Sequence, residues 1–302
     1  MSINRSLTLP LAALLSLWSA APAAHALKIV ATVEDVASIA REVLGKDGEL
    51  ITLANPSQDP HFVDPRPSLL LPLSRADALL VVGLELEVGW LPTLLKGARN
   101  GNIQLGGAGY IDASSFIMPT DVPTGPVDRS QGDIHPRGNP HYLKDPHNAV
   151  LVANGLAERF VSLDPERADA FRKRAADFAK AIEGRIKAWE TRLAVLKGKG
   201  LVSYHKSLNY FARWAQLDQV GYVESKPGIP PSPQHMVQLI ALGRARKAAV
   251  FATESWFPTA QIEFAAEKCG RPVTAVPGLP RSNQPYADHI EDVVAAFIKG
   301  AS

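Results

Sequence analysis

The chain is 302 residues long, and its 32 Lys and Arg nearly balance 30 Asp and Glu, a net charge of +2 that gives no reason to expect a nucleic-acid partner. Its one cysteine, Cys269, excludes an internal disulfide and any thiolate-rich metal site, which leaves nitrogen and oxygen as possible ligands. At roughly 100 to 200 residues per domain, the length suggests two domains.

Residues 1–26 open with a charged stretch ending at Arg5, continue through an apolar run at 7–18 and close on Ala24-His25-Ala26. This is the pattern of a cleavable secretory signal peptide. The apolar run is too short to span a bilayer, which takes about 20 residues. No lipobox cysteine stands near the cleavage site, so a soluble exported protein beginning near Leu27 is expected, without a lipid anchor.

Residues 27–33 read as a first strand, followed by a helix through Val36, Ile39, Ala40 and Val43. Apolar runs at 50–54, 78–83 and 103–106 alternate with further helical stretches. That βα series predicts a parallel sheet covered by helices. The stretch 118–140 holds Pro119, Pro123, Pro126, Pro136 and Pro140 and lacks an apolar period, which predicts a mobile surface loop.

From 165 to 196 the apolar residues Phe171, Ala175, Phe178, Ile182, Ile186, Trp189, Leu193 and Leu196 recur at steps of three and four. They predict one long amphipathic helix, with Asp164 as N-cap before Pro165 and Lys197-Gly198 at its end. At 1.5 Å per residue it would span about 48 Å, enough to run along two lobes and stiffen them. A second βα series follows, with strands at 201–204, 219–224, 248–253 and 273–276, helices starting at Ser207, Ser232 and Thr259, and a last helix at 285–299. Cys269-Gly270 reads as the end of the third of these helices, with Gly270 as its cap and the thiol buried and inert. The expected fold class is α/β: two βα lobes with parallel sheets, 27–163 and 199–302, joined by one long rigid helix at 164–198, with a ligand site in the interlobe cleft.

Four residues stand out as metal ligands, each in a polar or proline-marked turn near a predicted strand end: His61, His141, His205 and Asp288. His61 lies in Asp59-Pro60-His61, where prolines restrict the backbone. His141 lies in Asn139-Pro140-His141, flanked at six-residue spacing by His135, in the proline-rich loop, and His147, in the first turn of the next helix. His205 ends a strand, where open α/β sheets bind small molecules, although bonding to the following helix would also explain it. Asp288 opens the last helix, where an acid also suits the dipole, and His289 beside it competes for the role. Glu254, at another strand end, reads either as a partner that fixes an imidazole or as a bond to the Ser255-Trp256 turn.

Taken together, Asp59-Pro60-His61, Ala76-Asp77 with Gly83-Leu84-Glu85-Leu86-Glu87, Asn139-Pro140-His141 with Asp145-Pro146, Tyr204-His205 with Tyr210-Phe211, and Pro227-Gly228-Ile229-Pro230-Pro231-Ser232-Pro233 resemble the metal-binding solute-binding proteins of ABC transporters. The resemblance covers nearly the whole chain after the signal segment. It implies that His61 and His141 come from the first lobe and His205 and Asp288 from the second, and His205 resembles the zinc branch, since manganese members carry glutamate there. It further implies a periplasmic location, a cargo of Zn2+ and an inner-membrane ABC permease as partner, and it leaves room for a periplasmic metallochaperone. The protein is expected to be a monomer and not an enzyme. Many zinc members carry a histidine-rich loop between the first two ligands; here that segment has only His135, with Asp121, Asp128 and Asp133 as further donors for a transient site.

Zinc accepts nitrogen and oxygen donors at about 2.0–2.2 Å, while manganese suits an oxygen-rich set and copper(II) would bind more tightly than either. Other divalent metals and a chelated or organic ligand, lined by Tyr204, Tyr210 and Trp256, are the alternatives. A zinc hydrolase would need an open water position and a base, and neither H-E-x-x-H nor G-x-S-x-G occurs.

Overall fold

The computed structural model describes residues 26–125, 127, 132 and 134–301. The signal segment, apart from Ala26, and the loop residues Asp128 and Asp133 therefore lie outside the described residues. Two four-stranded sheets, all parallel, form the frame. The first has the order β2-β1-β3-β4, with β1 Leu27–Ala31, β2 Gly48–Thr52, β3 Ala78–Val81 and β4 Tyr110–Asp112. The second repeats it as β6-β5-β7-β8, with β5 Gly200–Ser203, β6 Asp218–Tyr222, β7 Ala248–Glu254 and β8 Val273–Val276. The central strands β3 and β5 are buried along their whole length, as expected of parallel strands covered on both faces. In each sheet the chain passes first to one side of the opening strand and then to the other. The carboxyl ends at that reversal leave a crevice, where ligands of such sheets bind.

The helices are α1 Glu34–Leu44, α2 Leu70–Ser74, α3 Leu91–Ala98, α4 Pro146–Leu163, α5 Ala168–Leu193, α6 Asn209–Trp214, α7 Pro233–Ala245, α8 Ala260–Lys268 and α9 Tyr286–Gly300. Ser232 caps α7, its hydroxyl accepting from His235 N at 3.2 Å. Gly270, at φ +67, ends α8 as the sequence suggests, with Arg271 N bonded back to Ala266 O.

Helix α5 buries the predicted stripe, Phe171 to Leu193, and short 3-10 turns flank it at Pro165–Arg167 and Ala194–Leu196. Its 26 residues extend about 39 Å. Asp164 does not cap it: the carboxylate pairs with Arg167 instead, and the helix proper starts a turn later. One half of α5 packs on α1 and α4, where Arg174 Nε donates to Val43 O at 2.7 Å. The other half meets the second lobe, with Trp189 Nε1 donating to Glu291 on α9 at 2.8 Å. A single apolar cluster, from Ile29 and Leu79 through Phe160 and Phe171 to Phe211, Val250 and Phe297, runs through both lobes. Burial of this kind contributes about 1.5–3 kcal/mol per large side chain, so the lobes stabilise one another.

The strand expected at 103–106 is not there. Gly101–Ile103 is a 3-10 turn held by Asn100, whose side chain accepts from Asn102 N at 3.1 Å, and Leu105 is 84% exposed. Gly106 then turns the chain at φ +85, and the fourth strand forms only at Tyr110–Asp112. Two apolar residues around a polar Asx turn cannot sustain a ladder.

Candidate metal centre

Two short turns of one design deliver the first histidines. Asp59 Oδ1 accepts from His61 N at 3.0 Å, and Asn139 Oδ1 accepts from His141 N at 2.9 Å. Each is an Asx turn, with the intervening proline fixing the bend. Asp145-Pro146-His147 repeats the turn, with His147 N at 3.0 Å from Asp145 Oδ1, but it opens α4 on the solvent side and the His147 side chain is 55% exposed. Tertiary placement, not the local motif, separates His141 from His147. His205 stands just beyond the end of β5, with Tyr204 between, its carbonyl accepting from Ser203 Oγ at 2.8 Å.

His61, His141 and His205 meet across the cleft, with one ligand atom from each lying within 4.8 Å of the others. Their ring centroids are 5.2 Å apart for His61 and His141 and 5.4 Å apart for the other two pairs. A zinc–nitrogen bond of about 2.0–2.1 Å places tetrahedrally arranged imidazole centroids about 5.2 Å apart, so the rings already have the spacing of a zinc centre.

The rings are also oriented for it. His61 Nδ1 is 2.7 Å from Asp59 Oδ1, and His205 Nδ1 is 2.8 Å from Glu224 Oε2. A carboxylate behind Nδ1 fixes the tautomer and turns the Nε2 lone pair inward. Burial acts to raise the Asp59 carboxyl, but the hydrogen bonds and charge of His61 outweigh it and hold it below the usual range. His61 Nε2 and His141 Nε2 are buried without a hydrogen-bond partner. Burial, reinforced by His61, His205, His135 and Lys144, pushes His141 well below the ordinary histidine value. It stays neutral, as coordination requires.

The loop carrying His141 is tied to the second lobe. Asn139 Nδ2 donates to Lys206 O at 2.9 Å, and Tyr210 Oη donates to Asn139 O at 3.0 Å while accepting from Thr120 N at 2.8 Å. Asp121, expected as a donor in a transient site, is instead occupied by Arg213, Asn209 and Asn139. Tyr204 stacks on Phe257 at 4.7 Å, and Trp256 lines a separate groove with Pro277 and Gly278.

Asp288 does not join the group. It lies in the first turn of α9, its side chain 54% exposed and paired with Arg185 of α5 at 3.2 Å. The phase of α9 is the reason: Tyr286, His289, Ile290 and Val293 face the core, with Tyr286 Oη donating to Leu143 O at 2.7 Å, and Asp288 falls on the outward face. His289 is buried, its Nε2 lying 3.0 Å from Lys144 Nζ. Glu254 accepts from Ser207 Oγ and not from an imidazole among the described residues, and burial raises its carboxyl against the opposing charges of Lys144 and His205.

Sequence reasoning missed Glu224 as a site residue, although its place after β6, one strand from His205, was a usable signal. It also left His135 in a surface loop. The structure sets the His135 ring 5.4 Å from that of His61, with Nδ1 donating to Leu84 O at 2.9 Å. Burial, then the charges of His61 and His205, lower it to about 3.

Two lobes of parallel α/β sheet thus bring three imidazoles together in one cleft, the donor set of a nitrogen-ligated metal centre. Residues 29–300 match the family model "Zinc-uptake complex component A periplasmic" (ZnuA), and the chain belongs to that family. It is 23% identical over 224 residues to the zinc-binding lipoprotein AdcA of Streptococcus pneumoniae, covering 74% of this chain but only 44% of that protein. It is 23% identical over 234 residues to the iron-binding protein YfeA of Yersinia pestis, covering 76% of this chain and 69% of the relative. Among solved structures, a ZnuA crystal structure superposes with a TM-score of 0.76 at 24% identity, covering 92% of this chain and all of that one. The Pseudomonas aeruginosa protein FpvC in complex with Ni2+ gives a TM-score of 0.73 at 18% identity, covering 92% of this chain and 97% of that one. No helix among the described residues is long and apolar enough to cross a membrane.

Proposed function

We propose that His61, His141 and His205 hold one Zn2+ in the interlobe cleft as cargo, and that the protein, exported to the periplasm, presents it to an ABC permease. The observation that carries this reading is the convergence of three imidazoles at zinc spacing, two of them oriented by Asp59 and Glu224. Those carboxylates are spent on Nδ1 atoms, so the cleft offers nitrogen rather than oxygen, which suits zinc better than manganese. Other ions occur among similar proteins: YfeA is named for iron, and FpvC has been solved in complex with Ni2+ and with Mn2+. Copper(II) would bind a nitrogen set more tightly still, and zinc is selected by geometry and by which ions reach the compartment.

The protein is a carrier and not an enzyme in this reading. Of the acids a hydrolase could use as a base, Glu254 is fully buried and bonded to Ser207, and Asp288 is exposed and paired with Arg185. One apolar cluster runs through both lobes, beside a second confined to the second lobe, and α5 bridges them, so release proceeds through rearrangement of the histidine-bearing turns on docking rather than through wide hinge opening. A monomer meets these requirements, loaded from solution or by a periplasmic metallochaperone.

Competitive zinc titration of the purified protein beside His61→Ala, His141→Ala and His205→Ala tests the reading. One tightly bound zinc, weakened by every substitution, is expected. Unchanged stoichiometry and affinity in the three variants would reject the site.

A further inference from the structure

We propose that His135 is the fourth nitrogen donor of the cleft, so that an imidazole and not a carboxylate completes the metal's coordination. The inference rests on the zinc-binding reading above. The His135 and His61 centroids are 5.4 Å apart, the spacing found among the three converging histidines; His135 stands outside the group whose ligand atoms lie within 4.8 Å of one another, so the ion would draw its Nε2 inward from beside His61. Its Nδ1 faces the Leu84 carbonyl at 2.9 Å, and a carbonyl can only accept; the ring proton therefore sits on Nδ1, and Nε2 presents a lone pair. That Nε2 is buried without a hydrogen-bond partner, as are Nε2 of His61 and His141. Folded proteins seldom leave such an atom unpaired, and a bound ion is one of the few explanations.

His135 also stands on the wall between two cavities. It borders the larger, about 580 Å3, together with His61, and the smaller, about 210 Å3, together with His141 and His205. It is thus the histidine that lines both cavities among the described residues.

The acceptor behind His135 is built by strained backbone. Gly83, Leu84 and Glu85 follow β3 in succession at φ +83, +52 and +67, a left-handed bend that ordinary residues avoid. Buried Glu87 fastens the bend, accepting from Val82 N at 2.7 Å, Gly83 N at 3.2 Å and Thr32 Oγ1 at 2.7 Å. A side chain at position 83 would drive its Cβ to 1.9 Å from Asp112 Oδ1. Leu84 O thereby serves His135 as Asp59 serves His61 and Glu224 serves His205: an oxygen behind Nδ1 that aims Nε2 inward. A fourth imidazole makes the coordination sphere all nitrogen, which widens the preference for zinc over manganese.

Zinc-edge X-ray absorption and competitive titration with Zn2+ and Mn2+ on the purified protein, His135→Ala, His135→Gln and His61→Ala test this. Glutamine retains a donor for the Leu84 carbonyl, and thermal melting of each metal-free variant reports on the fold. The wild type is expected to show four imidazoles on zinc and both His135 variants three, with zinc affinity down about tenfold or more and the zinc-to-manganese ratio reduced. Three imidazoles in the wild type, unchanged in His135→Ala, would overturn the proposal and leave the three-histidine centre standing. An unchanged imidazole count and affinity in His61→Ala would remove the centre itself, and this inference with it.

Discussion

Replacing Glu224 by alanine probes how far the groups behind the imidazoles set affinity. Glu224 Oε2 lies 2.8 Å from His205 Nδ1 and 3.2 Å from Gly228 N, and the residue is 8% exposed. A hydrogen bond to a charged group contributes about 1.5–3 kcal/mol. At about 1.4 kcal/mol per factor of ten, its loss should weaken zinc binding about 10- to 150-fold. Outer-sphere partners of metal-bound histidines cost about 10- to 100-fold when removed, which brackets the same range by another route. Glu224→Gln keeps an acceptor for Nδ1–H without the charge and should fall between alanine and wild type. Competition against a chelator of known affinity at fixed pH measures the effect, and melting of the metal-free variants controls for folding. An alanine variant that melts normally and binds zinc within about twofold of wild type would refute the idea that the carboxylate aims and polarises His205.

Asp288→Asn should leave zinc affinity unchanged and alter stability by less than about 0.5 kcal/mol, because its pairing with Arg185 is exposed; a large loss of affinity would return Asp288 to the site. The metal-free protein should lose stability in mild acid. Burial lowers His141 and His135, the latter to about 3, whereas an unfolded histidine titrates near about 6.5. Below about pH 6.5 the unfolded chain therefore binds more protons, so stability is full above that value and declines as the pH falls toward the folded-state values. Urea midpoints at about pH 7.5 and 5 measure this, and a midpoint that rises on acidification would contradict it. Phe211→Ala should cost about 3–5 kcal/mol in urea denaturation, since Phe211 is fully buried and stacked on Phe297 at 4.2 Å in the core shared by the lobes.

The parts of this protein that were legible in its sequence are those with a local physical cause. The Asx-Pro-His turns at His61 and His141 announce a fixed imidazole, and the stripe from Phe171 to Leu193 announces α5. Asp288 misled because an acid in a first helical turn reads the same whether it binds a metal or meets the helix dipole. Only the rotational phase of α9 on the core decides, and that depends on where Tyr286 and Ile290 pack. The fourth strand was hidden because Tyr110–Asp112 is too short to show a period. Glu224 carries only the signal of a strand end beside that of His205, and His135, six residues before His141 in a proline-rich stretch without an apolar period, gives no sign of which way its ring turns, so neither role could be read from spacing alone.

The most direct measurement is anomalous scattering at the zinc edge from crystals of the zinc-loaded protein. The account predicts one strong peak in the cleft, about 2.0–2.1 Å from Nε2 of His61, His141 and His205. A peak on another group of residues, or no peak among these histidines in zinc-loaded crystals, would contradict it.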